Sequence, residues 1–216
     1  TDWAGATFAP IDQRGVKAYF NSNSKPYDVQ AAVCLAGDRF YAAFKTGDPK
    51  LLKNSGEQPQ ALFKTGGALD VMLGTNAAAP ANRDQPVAGD LRLLITMVKD
   101  KPVAVIYRAV VPGTASGDRV PFRSPWRTIY FDRVETVTSE LQFAAADGNF
   151  EFSLPLAKLG LRPAAGQTLK GDLGILRGDG TTTTARIYWA NKATGITADV
   201  PSEAALTPKL WGTWRV

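Results

Sequence analysis

The chain has 216 residues, 44% of them apolar, and carries 25 basic against 20 acidic side chains for a net charge of +5. That length buries a full core without help from a metal, and the single cysteine excludes an internal disulfide framework. The absence of histidine removes Ser-His-Asp and Cys-His catalysis, His-ligated zinc and the commonest general base.

Basic and acidic residues are interleaved with no basic run, so no nucleic-acid footprint is expected. No apolar run reaches the roughly 18 residues that a membrane span requires. The chain starts at Thr1-Asp2-Trp3 with no initiator Met and no signal peptide, as expected of a mature or excised form.

Taken in order, residues 2–15 read as a lead-in packing across a sheet edge, with Trp3 as a structural plug, and 21–25 (NSNSK) as a polar loop. Strands are expected at 27–35 and 39–45, joined at Ala36-Gly37-Asp38. In the second, Phe40, Ala42 and Phe44 alternate with Tyr41 and Ala43, which gives one strand two faces of different burial. Cys34 falls in the apolar run 29–35 and reads as a buried, inert thiol. Residues 46–67 form a long Gly/Pro/Lys-rich loop whose Leu51-Leu52 and Leu62-Phe63 must fold back under it, and loops of that length are usually functional or disordered.

A strand at 69–74 (LDVMLG) and an Ala/Pro loop at 76–88 lead into the strongly β centre. There, 91–98 and 103–111 flank the turn Lys99-Asp100-Lys101-Pro102. Residues 112–125 read as a loop running into Ser124-Pro125-Trp126, followed by strands at 128–137, 140–146 and 150–154. Pro155 and Pro163 confine 157–161 to a helical turn.

A hairpin over 171–195 organises the rest, with a short apolar arm at 173–176 and an Asp179-Gly180 turn suited to positive φ. Its second arm, 181–189, is β-branched and aromatic. A helical turn at 202–206 and a last strand at 211–216 close the chain. Trp211 and Trp214 lie three apart there and so face opposite ways. About ten short strands with Gly/Pro turns and no ordinary amphipathic helix predict one all-β domain over 1–216. The expected fold is an antiparallel two-sheet β-sandwich, jelly-roll or immunoglobulin-like, with long loops.

The hairpin ends in Tyr188-Trp189-Ala190-Asn191-Lys192, where aromatics that can lie on a flat apolar face meet an amide and an ammonium. Alternation puts Tyr188 and Trp189 on opposite faces, so one of the two belongs to the core. Arg186 precedes them on the same arm. Trp126 sits in the Arg-rich loop Arg123-Ser124-Pro125-Trp126-Arg127, either exposed or capping the sandwich.

Several short motifs carry a resemblance. They are Phe150-Glu151-Phe152-Ser153-Leu154-Pro155-Leu156, Leu159-Gly160-Leu161-Arg162-Pro163, Gly171-Asp172-Leu173-Gly174 and Tyr188-Trp189. Pro208 and Trp211-Gly212 resemble a closing "P, aromatic, G" strand, and Gly37-Asp38-Arg39-Phe40-Tyr41-Ala42-Ala43-Phe44 is similar to an early one. Together they resemble the family-nine carbohydrate-binding modules and the wider DOMON-like group. The resemblance implies a sandwich that binds a polysaccharide or oligosaccharide between aromatic side chains, without catalysis, and with structural calcium in several relatives. It also implies a monomeric module of a larger secreted, periplasmic or cell-surface protein.

On that reading Trp189, Tyr188 and Trp126 supply the stacking surface, and Asn191, Lys192 and Arg186 the polar contacts. The isolated turn acids, Asp38, Asp48, Asp90, Asp118, Asp172, Asp179 and Asp199, assign no calcium ligands, since turns favour Asp without a metal. Two alternatives stay open. Some DOMON-like domains hold haem b between a Met and a Lys or His, which here implies Met72 and Lys170 as ligands of an electron-transfer domain. The other is a structural or protein-binding sandwich, favoured if every tryptophan is buried.

Overall fold

A computed structural model describes residues 3–12 and 28–216. The loop expected at 21–25, the end of the lead-in and the start of the strand expected at 27–35 lie outside the described residues. In chain order the described strands are β1 (Ala9–Pro10), β2 (Gln30–Ala36), β3 (Arg39–Lys45), β4 (Lys53–Asn54), β5 (Ala68–Gly74), β6 (Asp90–Val98), β7 (Lys101–Arg108) and β8 (Val120–Arg123). They continue with β9 (Thr128–Phe131), β10 (Arg133–Thr136), β11 (Gln142–Ala146), β12 (Asn149–Pro155), β13 (Thr168–Gly178), β14 (Thr183–Tyr188) and β15 (Gly212–Arg215). Two short helices, α1 (Leu156–Leu159) and α2 (Val200–Ala204), accompany them.

Two sheets face each other. The smaller has the order β1-β2-β3-β12-β11 and the larger β10-β7-β6-β5-β13-β14, with β15 paired to the first half of β13 and β4 to the end of β6. Among the described residues every ladder is antiparallel except the two-residue β4–β6 pair. The sandwich is therefore the expected one. The strand expected at 128–137 is broken at Asp132 into β9 and β10, and the loop expected at 112–125 contains β8.

Alternation builds the first core. Phe40, Ala42 and Phe44 of β3 and Phe150, Phe152 and Leu154 of β12 pack against Leu69, Val71 and Leu73 of β5 and Leu91, Leu93 and Ile95 of β6. The opposite face of the larger sheet is also covered, which a two-layer scheme does not foresee. Ala68, Met72, Leu94, Val105, Tyr107 and Tyr188 form a second core beneath Leu62, Phe63, Phe122, Phe131 and Trp211. The cover is a 3-10 turn (Pro59–Lys64), the two-stranded β8–β9 ribbon and α2. As expected, Leu51, Leu52, Leu62 and Phe63 fold inward from the long loop. A strand with both faces covered carries little alternation of polarity, and every residue of β5 is buried.

At the front, Trp3 lies on the outer face of the smaller sheet. Its indole N–H donates to Glu151 Oε2 at 2.9 Å and its ring packs on Phe8, with centroids 6.0 Å apart.

Candidate functional site: a pinned hairpin tip over a buried ion pair

Two buried charged residues on neighbouring central strands anchor the covered face. Asp70 of β5 and Arg92 of β6 are both buried, and the Arg92 guanidinium donates to both carboxylate oxygens, Nε to Oδ1 at 2.8 Å and Nη2 to Oδ2 at 2.7 Å. Such a fork satisfies the carboxylate and fixes its orientation. The Tyr188 hydroxyl donates to the same Oδ2.

The remaining Arg92 nitrogen, Nη1, reaches across to the carbonyl of Glu203 in α2 at 3.0 Å. Its guanidinium also lies 4.8 Å from the centre of the Phe63 ring. Burial opposes the charge on Arg92, but Asp70 more than compensates and holds the guanidinium firmly protonated. Burial, reinforced by Asp70, raises the Tyr188 phenol. Glu203 is buried as well. Burial raises its carboxyl while Lys64, whose Nζ donates to Oε1 at 2.7 Å, pulls it back. The network thus ties α2 to the sheet.

Helix α2 in turn holds the β8–β9 ribbon. In the ribbon Phe122 and Phe131 point inward, with ring centroids 5.0 Å apart and both near Tyr107, while Pro121, Arg123, Thr128 and Tyr130 point outward. At the tip Ser124 N donates to Arg127 O at 2.9 Å, and Trp126 N to Ser124 Oγ at 3.3 Å. Arg127 Nη2 donates to Ser202 Oγ at 2.7 Å and sits 3.6 Å from Asp199 Oδ2.

Asp199 caps α2, accepting from Ser202 N at 3.0 Å. Hydroxyl hydrogen bonds from Ser202 and Ser124 hold its carboxyl below the usual range. These contacts leave Trp126 standing out of a fixed turn, 86% exposed. Tyr130 on the ribbon's outer face is 44% exposed, with Arg119 5.3 Å from its ring centre.

The segment 190–199 joins the end of β14 to α2. Its start is fixed by buried Asp172, which accepts from Ala190 N at 2.9 Å, Asn191 N at 2.8 Å and Leu173 N at 2.9 Å. Burial pushes the Asp172 carboxyl up to about 7, against the pull of these three N–H groups toward the charged form. Further on, Lys64 Nζ donates to Thr197 O at 2.6 Å. Trp189 at the start is half-buried and lies against Gly212, where a Cβ would come 2.1 Å from its ring. Asn191 is half-buried, its Oδ1 accepting from Ala193 N at 2.8 Å, and Lys192 is exposed.

The residues expected to meet a ligand therefore separate. Trp126 is exposed, Lys192 and Asn191 reach the surface, and Trp189 does so in part. Tyr188 and Arg186 do not. Both are sealed under α2 and its flanking segments, Tyr188 bonded to Asp70 and Arg186 lying 5.8 Å from the Tyr188 ring centre. Alternation put one of the Tyr188–Trp189 pair in a core, and the second core takes the tyrosine.

Met72 and Lys170 do not oppose one another across a pocket. Met72 pairs directly with Asp172, two residues from Lys170 on the neighbouring strand, so the two are neighbours on one sheet face. Met72 is buried and the Lys170 ammonium donates to the Trp211 carbonyl, so this pair does not fit a haem sandwich. Among the described residues no three Asp, Glu or Cys side chains converge to hold a metal ion.

Sequence reasoning missed Asp70, Arg92, Glu203 and Tyr130. The signal for the first two was present, as lone charges at inward-facing positions of apolar strands in LDVMLG and LRLLITM.

No family model matches the chain, and no curated protein does. Solved structures do. A family 9 carbohydrate-binding module from Caldicellulosiruptor kristjanssonii in complex with glucose superposes with a TM-score of 0.54 at 11% identity, over 100% of this chain and 87% of that one. In complex with cellotriose the TM-score is 0.56 at 10% identity, over 99% and 83%. A Bacteroides uniformis protein proposed to bind carbohydrate gives 0.51 at 12% identity, over 97% and 86%. At this level of identity the likeness is one of architecture, and the chain has the β-sandwich fold of the family-nine carbohydrate-binding modules.

Proposed function

We propose that this domain is a non-catalytic carbohydrate-binding module in which Trp126 is the principal platform for a sugar ring. The observation that carries the reading is a tryptophan 86% exposed on a turn whose backbone and neighbouring side chains are held by hydrogen bonds. Leaving an indole in water is costly unless something covers it, and a rigid aromatic loses little entropy on binding. The apolar C–H face of a pyranose matches it, while Arg123, Ser124 and Thr128 on the same ribbon provide hydrogen-bonding groups at its rim. Trp189, with Asn191 and Lys192, forms a second contact at the far end of the 190–199 segment.

The fold supports the reading, since the likeness is to modules solved with glucose and cellotriose. The buried acids have structural partners: Asp70 has Arg92, Asp90 has Arg83, Asp172 has backbone N–H groups, and Glu203 has Lys64 at Oε1 alone. The same reading makes residues 1–216 one module of a larger secreted protein.

Affinity electrophoresis against a panel of soluble polysaccharides, followed by calorimetry with the matching oligosaccharides, tests it. Trp126→Ala is expected to weaken binding at least about tenfold while leaving the melting temperature unchanged. No binding across the panel, or full binding by the variant, overturns it.

A further inference from the structure

The long loop between β3 and β5 builds a second surface. It turns at Thr46, whose Oγ1 donates to Gly148 O at 2.7 Å, and at Asp48, whose Oδ1 accepts from Lys50 N at 3.0 Å. It is then fastened to the end of β6: Met97 N donates to Leu52 O at 2.8 Å, Thr96 Oγ1 to the same carbonyl at 2.9 Å, and β4 pairs in parallel with Met97 and Val98. The β6–β7 turn beside it has both Lys99 and Asp100 in the left-handed region, at φ 50° and 59°, the geometry of a tight type I′ reversal. Between these segments and β11 lies an open groove of about 530 Å3.

Its floor is apolar, made by Met97, Phe143 and Phe150, the two phenylalanine rings stacking with centroids 6.4 Å apart. Its rim carries Lys50, Lys53 and Lys99, all exposed and none in an ion pair with any described residue. Asp100 is the single carboxylate on the lining. Charges scattered along the sequence are thus gathered with a clear excess of positive sign. Each stands on backbone held by hydrogen bonds or by a tight turn. Lysine ammoniums act as point charges without a preferred bidentate geometry, which suits carboxylates spaced along a flexible chain. The volume is that of a small-ligand site.

We infer that this groove binds an acidic polysaccharide, its uronate carboxylates meeting Lys50, Lys53 and Lys99 while a ring face lies on Phe143, which Phe150 backs from the core. The inference rests on the carbohydrate reading but uses a surface separate from the Trp126 tip, so the two fail separately.

The test is calorimetry of the whole chain with a galacturonate oligosaccharide and with the same oligosaccharide methyl-esterified at every carboxyl. The acid form is expected to bind at least about tenfold more tightly than the ester. That advantage should shrink as salt rises from about 0.05 M to about 0.3 M, because these exposed charges are screened. The triple variant Lys50→Gln, Lys53→Gln, Lys99→Asn should lose the preference with an unchanged melting temperature, Asn being tolerated at positive φ.

Equal binding of acid and ester overturns the inference, as does a preference that survives in the triple variant or is abolished by Trp126→Ala alone. Equally tight binding of dextran sulfate or single-stranded DNA also overturns it, by making the groove a general polyanion surface. Acid-selective binding lost in the triple variant, with no neutral glycan bound, would uphold the groove and remove the Trp126 platform.

Discussion

Asp70→Asn isolates the structural claim on which the site depends, that a buried ion pair couples the sheet to the cover carrying Trp126. The carboxylate accepts three side-chain hydrogen bonds, two from Arg92 and one from Tyr188, and is fully buried. An amide of the same shape keeps one acceptor oxygen, turns N–H groups toward donors and leaves the Arg92 charge uncompensated. Breaking a buried pair from one side costs about 3–5 kcal/mol. At roughly 2–4 °C per kcal/mol for a chain of this size, that is a fall in melting temperature of about 6–20 °C.

The cost belongs to the stranded charge rather than to the pair, so Asp70→Leu combined with Arg92→Met should recover most of it. Calorimetry and urea unfolding of the two single variants and the double variant measure the cycle. A loss below about 1 kcal/mol for Asp70→Asn, or single losses that simply add in the double variant, would refute the coupling.

Three other outcomes follow from the same geometry. Because burial raises Asp172 to about 7 from an unfolded value of 3.8, the fold favours its neutral form. Its contribution is complete below about pH 4 and is lost as pH rises through 7, at up to about 1.4 kcal/mol per pH unit, and Asp172→Asn should flatten that slope in urea titrations across this range. Gly212→Ala places a methyl 2.1 Å from the Trp189 ring and must displace it, costing about 1–3 kcal/mol and changing the tryptophan fluorescence; an unchanged spectrum and stability would contradict the packing. Cys34, expected to be buried, is half-buried, and burial first and Glu151 second raise its thiol, so a thiol-specific reagent should label it in the native protein at neutral pH, though more slowly than in urea.

Much of the architecture was legible because alternation in β3 and β12 and the Asp-Gly turn of the β13–β14 hairpin are local signals. The hairpin holds its central place, since β13 is bonded to β5 on one edge and to β14 and β15 on the other. The third layer was not legible. It is made of short pieces, β8, β9, α2 and the Pro59–Lys64 turn, that acquire meaning only when their few apolar residues meet across the sheet. That layer explains why Tyr188 and Arg186 read as surface groups and are interior ones. It also explains why Trp126, in a loop that sequence alone left open between exposed and capping, stands free: its ribbon buries Phe122 and Phe131 instead. Lys50, Lys53 and Lys99 were hidden for a related reason, since two separate turns bring them together.

The central claim is that a glycan lies on the Trp126 indole, and it has a direct spectroscopic test. The five tryptophans give five indole N–H resonances, assignable by single replacement. Titration with the tightest-binding oligosaccharide should shift the Trp126 signal most and leave that of buried Trp211 in place. A saturable titration in which Trp126 stays still while another indole moves would contradict the account.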